Sequence, residues 1–203
     1  MNFFPIFTNL EGQAVFLQGS GHHASEKIEK LLPYGVIIHI FNEDCHDAYA
    51  GHPQVVFRGR KLTEHDLDSH PVFIVTADIP REEAETIYHW CICRNIPINC
   101  VDVPDLCSFY FPALVTKGKF TMAISSSGKS PAAAAILRKK LENQIPDNID
   151  RILDWSEETR SRLKITHPDP ADRRKILRKA IALALEEDRI PSQEELNRIV
   201  AEI

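Results

Sequence analysis

The stretch Ala14-Val15-Phe16-Leu17-Gln18-Gly19-Ser20-Gly21-His22-His23-Ala24 decides the fold. Its first five residues, four of them apolar, have the character of a buried strand that stops at Gly19-Ser20-Gly21. From about His23 to Leu32 the residues Ile28, Leu31 and Leu32 share one helical face, and Pro33 with Gly35 closes the pattern. Residues 36–41, Val-Ile-Ile-His-Ile-Phe, are rich in β-branched side chains and read as a second buried strand. Strand, glycine turn, helix and strand within the first 41 residues is the layout of a dinucleotide-binding unit.

Further along, residues 54–57 and 72–75 are third and fourth strand candidates, and a helix is expected from about Arg81 to Arg94. Residues 96–101 make a fifth strand whose Pro97 suits an edge position or a strand start. Strands separated by helices pair in parallel through crossovers, so the fold class is α/β with a doubly wound parallel sheet. After Asp102 the rhythm changes. Residues 113–116 and 120–124 flank Lys117-Gly118-Lys119 as a hairpin, and a polar turn over residues 125–130 opens onto a helix at Pro131. From Pro146 the chain reads as wholly helical, broken at His167-Pro168-Asp169-Pro170 and at Pro191-Ser192.

A chain of 203 residues, 43% hydrophobic and 26% charged, suffices for one ordinary domain with a smaller appendage. Its five cysteines (Cys45, Cys91, Cys93, Cys100 and Cys107) are odd in number and lack paired CxxC spacing. Reduced thiols are expected rather than disulfides or a structural zinc. Met1-Asn2-Phe3-Phe4-Pro5 has no basic leader, and no apolar run approaches the roughly 18 residues of a spanning helix, so a cytoplasmic protein without a membrane partner is expected. A net charge of -5 argues against nucleic acid. Residues 1–101 carry 7 Lys and Arg against 13 Asp and Glu, whereas residues 102–203 carry 17 against 16. The cation-rich second half is either a set of solvated helix faces or a surface for a polyanionic ligand.

Gly19 and Gly21 let the backbone approach a pyrophosphate, whose charge a helix N-terminus favours; Ala24 is an accepted stand-in for the third glycine of the fingerprint. Glu43 and Asp44 lie about 20 residues further on, placed to accept from the ribose hydroxyls of NAD and to repel the extra phosphate of NADP. The bland alternative is a purely structural turn. His22 and His23 stand at the mouth of the turn. Adjacent side chains diverge on a helix, so contacts to a pyrophosphate are expected there rather than a metal pair. Asp102 ends the fifth strand, where ligands of open sheets bind; its carboxylate is either a proton acceptor or a turn cap. Ser125-Ser126-Ser127-Gly128-Lys129-Ser130 lacks Walker spacing, because Ala123 falls where the first glycine belongs; a nest gripping carboxylates remains open. A Tyr-x-x-x-Lys pair is absent, since Ile92 follows Tyr88 by four.

Several motifs occur together in one order. Phe4-Pro5-Ile6-Phe7 with Leu10-Glu11-Gly12 is followed by Gly19-Ser20-Gly21-His22-His23-Ala24 with Lys27, which is similar to "GGG.vA.rK". Asn99-Cys100-Val101-Asp102 then precedes Ser108-Phe109-Tyr110-Phe111-Pro112-Ala113, and Ala123-Ile124 leads into Ser125-Ser126-Ser127-Gly128-Lys129-Ser130-Pro131. On these residues the chain resembles the precorrin-2 dehydrogenase / sirohydrochlorin ferrochelatase family, including the N-terminal module of siroheme synthase.

The resemblance implies a Rossmann domain over residues 1–111, a dimerisation region over 112–145 and a C-terminal helical domain over 146–203. It implies oxidation of precorrin-2 to sirohydrochlorin in siroheme biosynthesis with NAD as hydride acceptor, a homodimer, and in some members insertion of ferrous iron. Asp102 matches the aspartate tied there to proton handling and chelation; metal ligands stay unassigned. Ser126 matches a pocket serine, and Ser127, Gly128 and Lys129 share its loop as substrate contacts. Gly19, Ser20, Gly21, His22, His23, Glu43 and Asp44 match the nucleotide contacts, with Ala77 and Asp78 in the "atd" position. The pattern departs at Ser20 for its middle glycine, at Glu26 for an arginine, and at Ile38-His39-Ile40-Phe41-Asn42-Glu43 for "VxVVAP". Ser20 and Glu26 motivate an alternative, a tetrapyrrole- or metal-binding protein that no longer oxidises.

Overall fold

A computed structural model describes residues 3–43 and 49–203 and divides the chain into two compact units, Met1–Phe111 and Pro112–Ile203. The first unit holds β1 (Ala14–Gly19), α1 (Gly21–Leu31), β2 (Ile37–Phe41), β3 (Val55–Phe57), β4 (Phe73–Ala77), α2 (Arg81–Arg94) and β5 (Ile98–Cys100). The five strands form one parallel sheet in the order β3-β2-β1-β4-β5. β1 is central, running from Ala14↔Ile37 to Gln18↔Phe41 on one side and from Val15↔Phe73 to Gly19↔Ala77 on the other.

Successive side chains of a strand point to opposite faces, and β1 uses both. Val15 and Leu17 cluster with Ala24, Ile28 and Leu31 of α1, while Phe16 clusters with Ala84, Ile87 and Cys91 of α2. The larger of these buried side chains, such as Leu17, Ile28 and Ile87, contribute about 1.5–3 kcal/mol each. The sheet is therefore covered on both faces, which makes it doubly wound and explains why its strands read as largely apolar runs rather than as alternating ones.

The element boundaries have local causes. α1 starts at Gly21, two residues before the periodicity suggests, because Ser20 occupies the N-cap with extended backbone (φ -150, ψ -169). Beyond Leu31 a 3-10 turn over Leu32–Tyr34 carries Pro33, and Gly35 closes it at φ +69. β5 is shorter than expected and lies at the sheet edge. Pro97 has no N–H to donate, although its carbonyl accepts from Ile74 N at 2.9 Å. At its other end Val101 N donates to Thr76 O at 2.9 Å, and Asp102 then turns into the left-handed region at φ +60. Asp102 thus stands two residues past the strand rather than ending it.

The second unit opens with a hairpin, β6 (Ala113–Lys117) and β7 (Phe120–Ile124), whose turn is held by Asp150 Oδ1 accepting from Lys119 N at 2.6 Å. α3 (Pro131–Glu142) begins where Ser130 Oγ accepts from Ala133 N. α4 (Ile149–Thr166), α5 (Pro170–Glu186) and α6 (Gln193–Ala201) follow. Val115, Ile145 and Ile149 form one core, and Leu163, Ile176, Ala180 and Leu196 form another. Ser192 and Glu195 make a reciprocal capping box at the start of α6.

Candidate active site

Parallel strands deliver their carboxyl ends to one edge of the sheet, and most of the singled-out residues follow those ends. Gly19 closes β1 at φ +125 beside its register partner Ala77, at the end of β4. A side chain on Gly21 (φ +82) would meet Asp78 Oδ2 at 2.8 Å, so the bare backbone here is what admits the Asp78 carboxylate. Asp78 itself is left-handed, φ +55. Its Oδ1 lies 2.7 Å from Nδ1 of His23, in the first turn of α1. On the far side of the same ring, Nε2 lies 3.9 Å from Asp102 Oδ2. The imidazole thus sits between two carboxylates supplied by the loops after β4 and β5.

The electrostatics follow from that placement. Hydrogen bonding to Asp78 and its charge raise the His23 pKa above the ordinary imidazole value, and Asp102 and Glu26 add smaller contributions against a desolvation cost. A carboxylate beside an anion-binding turn is unfavourable alone; the imidazole offsets it.

The turn itself fits a dinucleotide pyrophosphate. The first turn of α1 carries no acidic residue, and the Ser20 hydroxyl makes no capping hydrogen bond. Ser20 also costs no backbone strain, since its extended conformation is open to any residue. His22 is exposed, its ring 5.8 Å from that of His23. Glu26, the apparent charge reversal, is covered: Lys30 Nζ lies 2.5 Å and Lys27 Nζ 3.9 Å from its Oε1, and Lys30 holds its carboxyl pKa down.

Lys27, quoted above only as part of a motif, has a distinct setting. Its side chain is 13% exposed and its ammonium lies 5.2 Å from the centre of the Phe111 ring. Burial draws its pKa down, aided by Lys30 and opposed by Glu26 and Asp102. No sequence signal reveals the ring beneath it.

Glu43 is exposed just past β2, the neighbour of β1; the pKa of Lys61 is raised mainly by its hydrogen bond to Glu83, with Glu43 adding a lesser contribution. Asp44 and Cys45 lie outside the described residues. Ser126, Ser127, Gly128 and Lys129 belong to the second unit, in the loop from β7 to α3. Ser126 Oγ accepts from Ser130 N at 2.9 Å and Ser125 Oγ from Ser127 N at 3.1 Å, so both hydroxyls shape the loop while keeping a proton to donate. A groove on the same unit is lined by Asp154, Glu157, Glu158, Ser161 and Arg162; its carboxylates suit it poorly to a polyanion. Among the described residues no group of three or more His, Cys, Asp or Glu side chains is placed to hold a metal, and no helix is long and apolar enough to cross a membrane.

A parallel sheet of this order, with a glycine turn feeding α1 at the strand that meets both neighbours, defines a dinucleotide-binding protein of Rossmann type. A family model described as "Putative NAD(P)-binding" matches residues 6–113. The chain belongs to that NAD(P)-binding family, and a nicotinamide dinucleotide is its cofactor. A second model, "Sirohaem biosynthesis protein central", matches residues 117–144.

Siroheme synthase of Pseudomonas entomophila is 30% identical over 179 residues, covering 86% of this chain and 38% of that protein. Siroheme synthase of Tolumonas auensis is 31% identical over 186 residues, covering 90% and 39%. The chain thus spans well under half the length of these curated relatives. In architecture it is similar to a solved structure described as "SirC, precorrin-2 dehydrogenase", with a TM-score of 0.71, 17% identity and 98% of each chain covered.

Proposed function

We propose that the chain oxidises precorrin-2 to sirohydrochlorin, with NAD+ as hydride acceptor. The observation that carries this reading is the 3.9 Å approach of Asp102 to His23, which sets a carboxylate beside the start of the nucleotide-binding helix. When bound, the nicotinamide supplies the hydride chemistry. The chain then has two tasks, to orient the macrocycle and to receive a proton. Asp102, with its side chain 83% exposed, is free to reach a substrate proton. Gly19, Ser20 and Gly21 offer backbone amides to the pyrophosphate, His22 and His23 flank it, and Ala77 and Asp78 wall the nucleotide side. Glu43 favours NAD over NADP by repelling a 2′-phosphate. Ser126, Ser127, Gly128 and Lys129 offer hydroxyls, amides and an ammonium to the substrate's carboxylates.

The names of the relatives and of the structural neighbour support the substrate. The covered charge of Glu26 and the unstrained Ser20 weigh against the degenerate reading. An anaerobic assay with precorrin-2 and NAD+ should show NADH formation in the native protein. Asp102→Ala should abolish it and leave NAD+ affinity within about twofold. Binding of substrate without NADH formation sinks the proposal. Repeating the assay with ferrous iron tests metal insertion. A homodimer is proposed as well, on the hairpin of β6 and β7 and the central-region match; sedimentation showing only monomer at low micromolar concentration removes it.

A further inference from the structure

His23 stands where the motif quoted above has an apolar residue. Its ring lies between two carboxylates, 2.7 Å from Asp78 Oδ1 through Nδ1 and 3.9 Å from Asp102 Oδ2 through Nε2. The three side chains grade in exposure, 36% for Asp78, 42% for His23 and 83% for Asp102. Asp78 and Asp102 both hold left-handed backbone, at φ +55 and +60, each just past the end of one of two neighbouring parallel strands. Such conformations persist in non-glycine residues where surrounding structure requires them, and aspartate tolerates them better than most.

The chemistry of an imidazole so placed is directional. Nδ1–H donating to Asp78 fixes the tautomer and leaves the Nε2 lone pair toward Asp102. The 3.9 Å gap closes with a small torsion of an exposed side chain. Around this ring the charged groups are Asp78 and Asp102 from the two strand ends and Glu26 from its own helix, with His22 adjacent. Lys27, on the same helix, adds a positive charge that interacts favourably with Asp102.

We propose that His23 is the proton exit of the reaction, a relay that clears Asp102 and is itself positioned by Asp78. The inference rests on the dehydrogenase reading above. In the oxidation, the substrate loses a hydride, with its two electrons, to NAD+ and one proton to the Asp102 carboxylate. That proton passes to Nε2 of neutral His23, regenerating the carboxylate. The imidazolium, paired with Asp78, then releases it to solvent, so NADH and one proton leave for each C–H bond oxidised.

The test uses the full chain in two measurements. Without cofactor, NMR titration should place the His23 pKa above the ordinary value of about 6.5, with a large fall in Asp78→Asn and a smaller one in Asp102→Asn. In turnover with precorrin-2 and NAD+, kcat of the native protein should fall on the acid side as His23 protonates. His23→Gln should lose that inflection and about tenfold in kcat at neutral pH. His23→Val, the apolar alternative at this position, should behave as His23→Gln does. Native turnover with an unchanged pH profile in both variants overturns the relay and leaves the dehydrogenase standing. No native turnover at all overturns both, and a His23 pKa indifferent to both Asn substitutions overturns the relay alone.

Discussion

Gly19 and Ala77 are register partners in adjacent strands, and a side-chain carbon on Gly19 would lie 1.8 Å from the Ala77 carbonyl oxygen. They end two paired interior strands, and the atom met is a backbone carbonyl oxygen, which cannot swing aside as a side chain can. Gly19→Ala should destabilise the first unit by about 3 kcal/mol or more. Urea unfolding should show a midpoint far below the native one. A shift of under about 1 kcal/mol would mean that β1 and β4 part more readily than their ladder implies.

Gly21 differs, because the atom it would strike is the end of an exposed side chain, Asp78 Oδ2 at 2.8 Å. Gly21→Ala should keep the fold while displacing Asp78 from His23. NADH fluorescence titration should show affinity reduced at least about tenfold, near 1.4 kcal/mol. Unaltered affinity would place the pyrophosphate elsewhere.

The second unit has an acid-sensitive latch. Arg189 and the Ser192 amide hold the Glu195 carboxyl down to about 2, against about 4.3 in an unfolded chain. A carboxyl depressed in the folded state stabilises above the unfolded value, and its contribution fades as pH falls from about 4.3 toward 2. Trp155, packed on the core of α5 and α6, should report that loss in a Trp90→Phe background. Glu195→Gln should flatten the pH dependence in this window. An identical acid transition in both proteins would locate the sensitivity in another carboxylate.

Thiol labelling should separate the cysteines. Burial pushes the Cys91 thiol up to about 12, Cys100 up to about 11, and Cys107 upward, whereas Cys93 is exposed on the same helix as Cys91. Of these four, Cys93 alone should react promptly under native conditions at pH 8, with the others following on unfolding. Mass spectrometry of early time points decides; prompt modification of Cys91 would contradict its packing against Phe16 and Ile87.

The strand candidates of the first unit and the hairpin were legible because burial on two faces or a glycine turn writes itself into short windows. The helix expected from about Arg81 to Arg94 is found over those residues, with Pro80 at its N-cap and Asn95 turning left-handed at its end. Glu26 illustrates a reading that stopped too soon: Lys30, four residues on, was available as its partner from helical spacing alone. The meeting of Asp78, His23 and Asp102 was not legible. It depends on β4 and β5 lying in sequence beside β1 and on two aspartates taking positive φ, neither of which a local pattern encodes. His39 is similar, since Arg58, just past β3, donates to its Nδ1 only because β2 and β3 are neighbours.

The strand order also has a bearing on how the chain emerges during synthesis. β1 is made first and needs a neighbour on each side, yet the second, β4, ends only at Ala77. Until residues 73–77 leave the ribosome, one margin of an apolar ribbon is open to any passing strand. The nucleotide crevice is therefore completed late, and a nascent chain arrested before Asp78 has nothing for a dinucleotide to rescue.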